Sequence, residues 1–273
     1  MAKGNILITG ASSGIGLACA SRLAALGYRV FAGVRSEAAS EVIRDTASGI
    51  TPVILDVCEP SSIHDTVGLL GSEPLAGLIN NAGIAAIGPL ELVPVDAWRR
   101  QFEVNVIGLV SVTQACLPKL RSGRGRIVNI GSIAGRSALP GSGAYDSSKF
   151  AVEGISDALR MELQQFGVSV SLIEPGAIAT GIWEKTLAEF HKQDSEAAPD
   201  LRDLYSDLNQ SIRKEIAESS AHALTPEVVA NAVVHAMTAS RPKTRYVVGR
   251  DAQISLLLNL LPDRFRDWVI LRG

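Results

Sequence analysis

The chain has 273 residues, enough for one large domain or two small ones, and 47% of them are hydrophobic, enough to bury a sizeable core. Its 26 basic and 28 acidic residues leave a formal net charge of -2, so no global field favours nucleic acid or an anionic membrane. Cys19, Cys58 and Cys116 are odd in number and widely spaced, which suits reduced thiols in a cytoplasmic compartment, and the four histidines show no metal-ligand spacing.

Met1-Ala2-Lys3-Gly4 carries no secretion-signal character and leads directly into a strand pattern. From there short β-branched runs alternate with longer stretches of helical period. Strands are expected at residues 5–9, 29–33, 53–57, 76–80, 126–130, 169–173 and 245–248, and helices at 14–26, 96–120 and 144–166. Apolar runs this continuous belong to strands covered on both faces. The expected fold class is therefore α/β: one domain over 1–273, with a doubly wound parallel sheet of about seven strands and helices on both faces. Residues 177–224 turn polar and charge-rich and read as an insertion of one or two mobile helices over the carboxyl edge of the sheet, where open α/β folds bind ligands. Thr225-Pro226-Glu227 then starts a helix running to about Ala239. Residues 250–273 form an extension whose leucines, Phe265 and Trp268 pack on the protein's own body by default; covering a cleft, a subunit contact or a membrane surface are the alternatives. No run reaches the roughly 20 apolar residues that a membrane crossing needs.

Two local motifs carry chemistry. The first strand runs into Thr9-Gly10-Ala11-Ser12-Ser13-Gly14-Ile15-Gly16, with a helical pattern starting inside the glycine group. Glycines let the backbone turn sharply and approach a pyrophosphate, which the free N–H groups and positive end of the helix would meet. Gly10, Ser12, Ser13, Gly14, Ile15 and Gly16 are thus candidate cofactor residues. After the second strand, Gly33-Val34-Arg35 offers no carboxylate for a ribose hydroxyl, and Arg35 can meet a 2′-phosphate with a charge-assisted fork. That favours NADP over NAD; an arginine merely opening a solvated loop is the alternative. In the second motif, Tyr145-Asp146-Ser147-Ser148-Lys149, tyrosine and lysine stand one helical turn apart and project from one face. A phenol beside an ammonium suits general acid/base work if its pKa of about 10 is brought toward neutrality.

With Asn80-Asn81-Ala82-Gly83 after the fourth strand, Asn105 in a helix, Ser132 after the fifth strand and Pro175-Gly176-Ala177-Ile178-Ala179-Thr180, these motifs occur in the order of the short-chain dehydrogenases/reductases, which the chain resembles over nearly its whole length. The resemblance implies a Rossmann fold and an NADP(H)-dependent oxidoreductase interconverting an alcohol and a ketone or aldehyde. It implies Asn105, Ser132, Tyr145 and Lys149 as catalytic residues: Tyr145 the acid/base, Ser132 the partner of the substrate oxygen, Asn105 the holder of a relay water, and Lys149 on the nicotinamide ribose as well. Asp56 and Val57 would frame the adenine, Asn81, Ala82 and Gly83 pass the adenine ribose, and Pro175, Gly176, Ile178 and Thr180 hold the nicotinamide. Structural readings of single positions stay open, Asp56 as a helix-entry cap and Asn105 as a core asparagine satisfied by backbone among them. The substrate wall is expected to include Ala134, Ser137, Ala138, Leu139, Ile182 and Trp183, which with a tail like that of steroid- and retinol-active members points to a lipophilic substrate. Family habit implies a homodimer or homotetramer through the two long central helices. A dinucleotide-binding regulatory or scaffold protein without turnover is the rival reading.

Overall fold

The computed structural model describes residues 3–44 and 49–272; Met1 and Ala2, read above for a secretion signal, lie outside it. Seven strands, β1 (Asn5–Ile8), β2 (Arg29–Val34), β3 (Ile50–Ile54), β4 (Leu75–Asn80), β5 (Arg126–Ile130), β6 (Ser169–Pro175) and β7 (Arg245–Val248), form one sheet in the order β3-β2-β1-β4-β5-β6-β7, every pair parallel. The order reverses between β1 and β4, the switch point at which such sheets open a crevice.

Side-chain alternation in the central strands explains the two layers. Ile6, Ile8, Val30, Ala32, Ile79 and Val128 face one core, shared with helices α1 (Gly14–Ala25) and α10 (Pro226–Thr238). Leu7, Phe31, Leu78 and Ile127 face the other, shared with α3 (Pro60–Leu69) and α5 (Gly108–Gly123). The central strands run nearly continuously apolar because both of their faces are buried. Helix α2 (Glu37–Arg44) flanks β3, and α4 (Val95–Phe102) precedes α5.

Beyond shifts of one or two residues at element ends, four elements differ from those expected. The third strand lies at Ile50–Ile54, not 53–57, because β3 is the sheet edge, where Pro52 loses no ladder bond through its missing N–H. Asp56 accordingly sits in a turn beyond the strand instead of ending it. The helix expected over 96–120 is interrupted by a π-helical turn, Glu103–Ile107, between α4 and α5, so that one extra residue re-aims Asn105. The helix expected at 144–166 is α6 (Gly143–Glu162) followed by a 3₁₀ turn, Gln164–Phe166. Where one or two helices were expected at 177–224 there are three, α7 (Ile182–Glu196), α8 (Pro199–Leu204) and α9 (Ser206–Ala221), with a small core of their own around Phe190, Ile212 and Ile216. The tail forms α11 (Arg250–Leu258) and α12 (Asp263–Ile270), which leave Leu257, Phe265, Trp268 and Leu271 exposed. All three cysteines are free, and burial pushes the thiols of Cys19 and Cys116 up to about 12.

Candidate functional site

The glycine turn is shaped by contacts that no side chain would fit. Gly10 and Gly14 have φ of 64° and 54°, and a Cβ on Gly16 would stand 2.4 Å from the Gly10 carbonyl and 2.6 Å from Asn81 Nδ2. Asn81 explains that crowding. Its Nδ2 donates to the carbonyls of Thr9 (3.0 Å) and Gly10 (2.9 Å), while Thr9 Oγ1 accepts from the backbone of Asn81 and Ala82, each at 2.9 Å. The exit of β4 is thereby tied to the turn after β1 across the switch point. Asn81 is thus a brace of the turn, and Ala82 and Gly83 follow it along the crevice. Ser12 and Ser13 are exposed, and the first turn of α1 carries no acidic side chain, so its positive end meets solvent uncompensated. These features fit the pyrophosphate of a dinucleotide.

Around the turn lie the other expected cofactor residues. Arg35 is exposed just beyond the buried end of β2. Asp56 is half-buried and already engaged: its Oδ1 accepts from Cys58 N at 2.9 Å, and its own N–H donates to Ser62 Oγ at 2.9 Å, which makes it the entry to α3. Val57 is buried beneath Gly108, whose Cβ would meet Val57 Cγ2 at 2.7 Å. On the opposite side, Thr180 touches the glycine turn, since a Cβ on Gly14 would lie 2.9 Å from Thr180 Cγ2. The Pro175–Thr180 loop is held by Gly176 N to Val248 O (2.8 Å), Ala179 N to Leu224 O (2.8 Å) and Trp183 Nε1 to Ile178 O (2.7 Å). A residue the motifs did not reveal completes it: Asp251, in the first turn of α11, accepts from Ala177 N at 2.7 Å. Asp251 fills the place of a side chain on Gly176, where a Cβ would come within 1.9 Å of its carboxylate.

Ser132, Tyr145 and Lys149 are brought together by the end of β5 and the first turns of α6. Ser132 caps the 3₁₀ turn Ile133–Gly135, its Oγ accepting from Ala134 N at 3.2 Å and donating to the Pro175 carbonyl at 3.5 Å, and it stands beside the Tyr145 hydroxyl. Lys149, buried to 8% exposure, donates to the Ile130 carbonyl at 3.0 Å, with Nζ 5.7 Å from the Tyr145 ring centroid. The expected acidification of the phenol is not what this arrangement produces. Burial pushes Tyr145 up to about 12, the adjacent Ser132 hydroxyl opposes the rise, and the Asp146 charge adds to it. Burial also brings Lys149 down to about 8, its head group directed to a backbone carbonyl.

Asn105 stands behind these residues. Its Oδ1 accepts from Ile84 N (2.9 Å), and its Nδ2 donates to Ile84 O (3.0 Å) and Ser148 Oγ (3.1 Å), so both carboxamide protons are taken by the protein. The fully buried Gln101, missed from sequence, repeats the pattern one turn earlier, bonding Ile84 O, Ala86 N and Ser148 Oγ. Its signal was available in the i, i+4 spacing to Asn105. Asp146, also missed, is buried beside Tyr145 and accepts from Leu139 N at 2.9 Å, fastening the loop that leads into α6; burial pushes it up to about 7 against that hydrogen bond, with the Glu215 charge adding to the rise. A 690 Å³ cavity lined by Gly14, Leu17, Ser21, Thr180, Trp183 and Glu227 opens beside the glycine turn without reaching Ser132, Tyr145 or Lys149. Among the described residues no group of three or more His, Cys, Asp or Glu could hold a metal ion, and no helix is long and apolar enough to cross a membrane.

Comparison with known proteins agrees with this architecture. The model of the short chain dehydrogenase family matches residues 4–190. The chain is 34% identical over 282 residues to human dehydrogenase/reductase SDR family member 9, covering 98% of this chain and 87% of that protein. It is 37% identical over 282 residues to bovine 17-beta-hydroxysteroid dehydrogenase type 6, covering 98% and 88%. Among solved structures, a short-chain dehydrogenase from Streptomyces avermitilis superposes with a TM-score of 0.80 at 26% identity, covering 98% of this chain and 96% of that one.

Proposed function

Because this chain belongs to the short-chain dehydrogenase family and its relatives are named as dehydrogenases and reductases, we propose that it interconverts an alcohol and a ketone or aldehyde on a lipophilic substrate, with NADP(H) preferred and Tyr145 as general acid/base. The observation that carries this reading is the convergence of Ser132, Tyr145 and Lys149 next to the Pro175–Thr180 loop and the glycine turn.

The residues divide the work by position. Gly10 to Gly16, with the backbone of Ala82 and Gly83, would hold the dinucleotide's phosphates and adenosine, Asp56 and Val57 would border the adenine, and Pro175, Gly176, Ile178 and Thr180 the nicotinamide. When bound, the nicotinamide supplies or accepts the hydride. Ser132 Oγ, beside the phenol, holds the substrate oxygen against Tyr145 and stabilises charge developing on it. In the reducing direction Tyr145 gives its proton to that oxygen, and a phenol kept protonated by burial is in the right state to do so. Lys149 stays largely charged at neutral pH, and its ammonium, with Nζ 5.7 Å from the ring centroid, favours the phenolate that forms once the proton has left. Asn105 acts through Ser148, which bonds the Tyr145 carbonyl at 2.7 Å, and so sets the height of the first turn of α6.

Arg35 and the missing carboxylate after β2 support NADP. Lipophilicity is supported by the apolar cluster of Ile87, Trp183, Leu187, Phe190, Leu208 and Ile212 over the site, and by the hydroxysteroid in the bovine relative's name. Exposed Ile107, Phe150 and Met161 support assembly as a homodimer or homotetramer through the long central helices, which light scattering tests, and three free thiols suit the cytoplasm. The decisive measurement is NADPH consumption with hydrophobic ketones and aldehydes against small polar ones, in wild type and Tyr145→Phe. Turnover of the hydrophobic set should fall roughly 10²–10⁴-fold in the variant. Full turnover in Tyr145→Phe would overturn the assignment.

A further inference from the structure

One turn beyond Lys149 on the same face of α6 stands Glu153, and one turn further Asp157, neither of which the reaction uses. Glu153 lies beside Glu174, the fully buried residue that immediately precedes Pro175 at the end of β6, and the neighbouring carboxyl adds to the rise of Glu153 above the ordinary carboxylate range. Arg245, the first residue of β7, spans the group: its Nη2 is 3.0 Å from Glu153 Oε2 and 2.8 Å from Asp157 Oδ2, and its Nε is 3.2 Å from Glu153 Oε2 and 3.6 Å from Glu174 Oε1. Arg136, one residue past the 3₁₀ turn that follows Ser132, donates to Glu174 Oε1 at 3.1 Å. Arg160 faces only Asp157, at 3.1 Å. The turn after Ser132 also lies flat on this face, since a Cβ on Gly135 would meet the Lys149 carbonyl at 2.8 Å and Glu153 Cγ at 3.1 Å.

Two observations require a proton here. Glu153 Oε1 and Glu174 Oε2 are buried without a hydrogen-bond partner, and two ionised carboxylates in contact repel without a donor between them. One proton held between the carboxyls supplies that donor and leaves the pair with a single negative charge facing Arg245 and Arg136.

We propose that Glu153 and Glu174 are positioning residues, a proton-sharing carboxyl pair clamped by Arg245 and Arg136 that sets Lys149, the Ser132 turn and the Pro175–Thr180 loop relative to one another, so that dinucleotide affinity depends on the pair keeping its proton. The inference rests on the dinucleotide-binding reading above. Burial, with the Glu174 carboxyl beside it, holds Glu153 well above the ordinary carboxylate range against the pull of Arg245. A carboxyl raised by folding contributes stability at low pH that is lost as pH rises, so the clamp loosens on the alkaline side.

The test is NADPH affinity, by fluorescence titration, and Tm without dinucleotide, both from about pH 5 to 8, for wild type, Glu153→Gln, Glu153→Ala and Glu174→Gln. Glutamine keeps a donor between the positions and removes the titration. Wild-type affinity should weaken about tenfold more across this range than that of Glu153→Gln, with Lys149 titration common to both. Wild-type Tm should likewise fall relative to the variant. Glu153→Ala, its fold checked by circular dichroism, should bind about tenfold more weakly throughout. Should Glu153→Gln not fold, Glu174→Gln carries the same comparison. Superimposed wild-type and glutamine profiles, or a folded Glu153→Ala that binds like wild type, overturns the proposal. A wild type that binds no dinucleotide overturns the functional reading as well, and the Tm comparison then reports separately whether the pair titrates.

Discussion

Lys149→Met isolates what the site costs the fold. The ammonium is buried to 8% exposure, and burial lowers it from 10.5 to about 8. That difference corresponds to about 3 kcal/mol spent at neutral pH on keeping the charge inside. Methionine fills the same stem volume without charge, and losing the 3.0 Å bond to the Ile130 carbonyl returns about 1–2 kcal/mol of the gain. The variant should therefore be more stable than wild type by about 1–2 kcal/mol near pH 7, raising Tm by roughly 3–6 °C, while its turnover is lost. The sign follows from the depressed value. Wild-type stability is fully present above 10.5 and falls as pH drops through about 8, so the variant's advantage should be largest below about pH 8 and shrink as pH rises toward 10. Calorimetry at several pH values, paired with NADPH oxidation at neutral pH, measures both. A variant less stable than wild type at pH 7, or one whose advantage ignores pH between about 8 and 10, would refute the claim that the lysine is held charged against the fold.

Two further outcomes follow from other residues. Arg35→Ala should weaken NADPH about 10–100-fold, the loss of charge-assisted hydrogen bonds to a phosphate, and leave NADH within about twofold; equal effects on both cofactors would remove the basis for an NADP preference. Asp146, raised from 3.8 to about 7 chiefly by burial, contributes stability that is present at low pH and lost as pH rises through about 7. Asp146→Asn should therefore flatten the fall in unfolding free energy between about pH 5 and 8 by about 3 kcal/mol, read by calorimetry, and an unchanged profile would show that the carboxyl ionises freely.

Local spacing carried most of the site. A glycine turn between a strand and a helix is legible because its requirement is conformational, borne by Gly10, Gly14 and Gly16 themselves. Tyr145 and Lys149 are legible because one helical turn places them on one face whatever surrounds them. Asn105 was legible as a polar residue among apolar ones, but the π turn that aims it was not, since nothing local in Val104-Asn105-Val106 distinguishes that turn from an ordinary one. The edge position of β3, which admits Pro52, depends on which strands pair.

The sequence by itself determined the βαβ rhythm, the parallel sheet buried on both faces, the phosphate cradle and the tyrosine-lysine turn, because each is written in neighbours fewer than about a dozen residues apart. Tertiary structure alone decided the partners: Asp251 on Ala177, Asn81 on Thr9 and Gly10, and Arg245 on Glu153 and Glu174 join segments separated by 71 to 92 positions. It also decided ionisation, keeping the phenol protonated and the ammonium strained, because charge inside a protein answers to burial, and burial is a property of the packed whole.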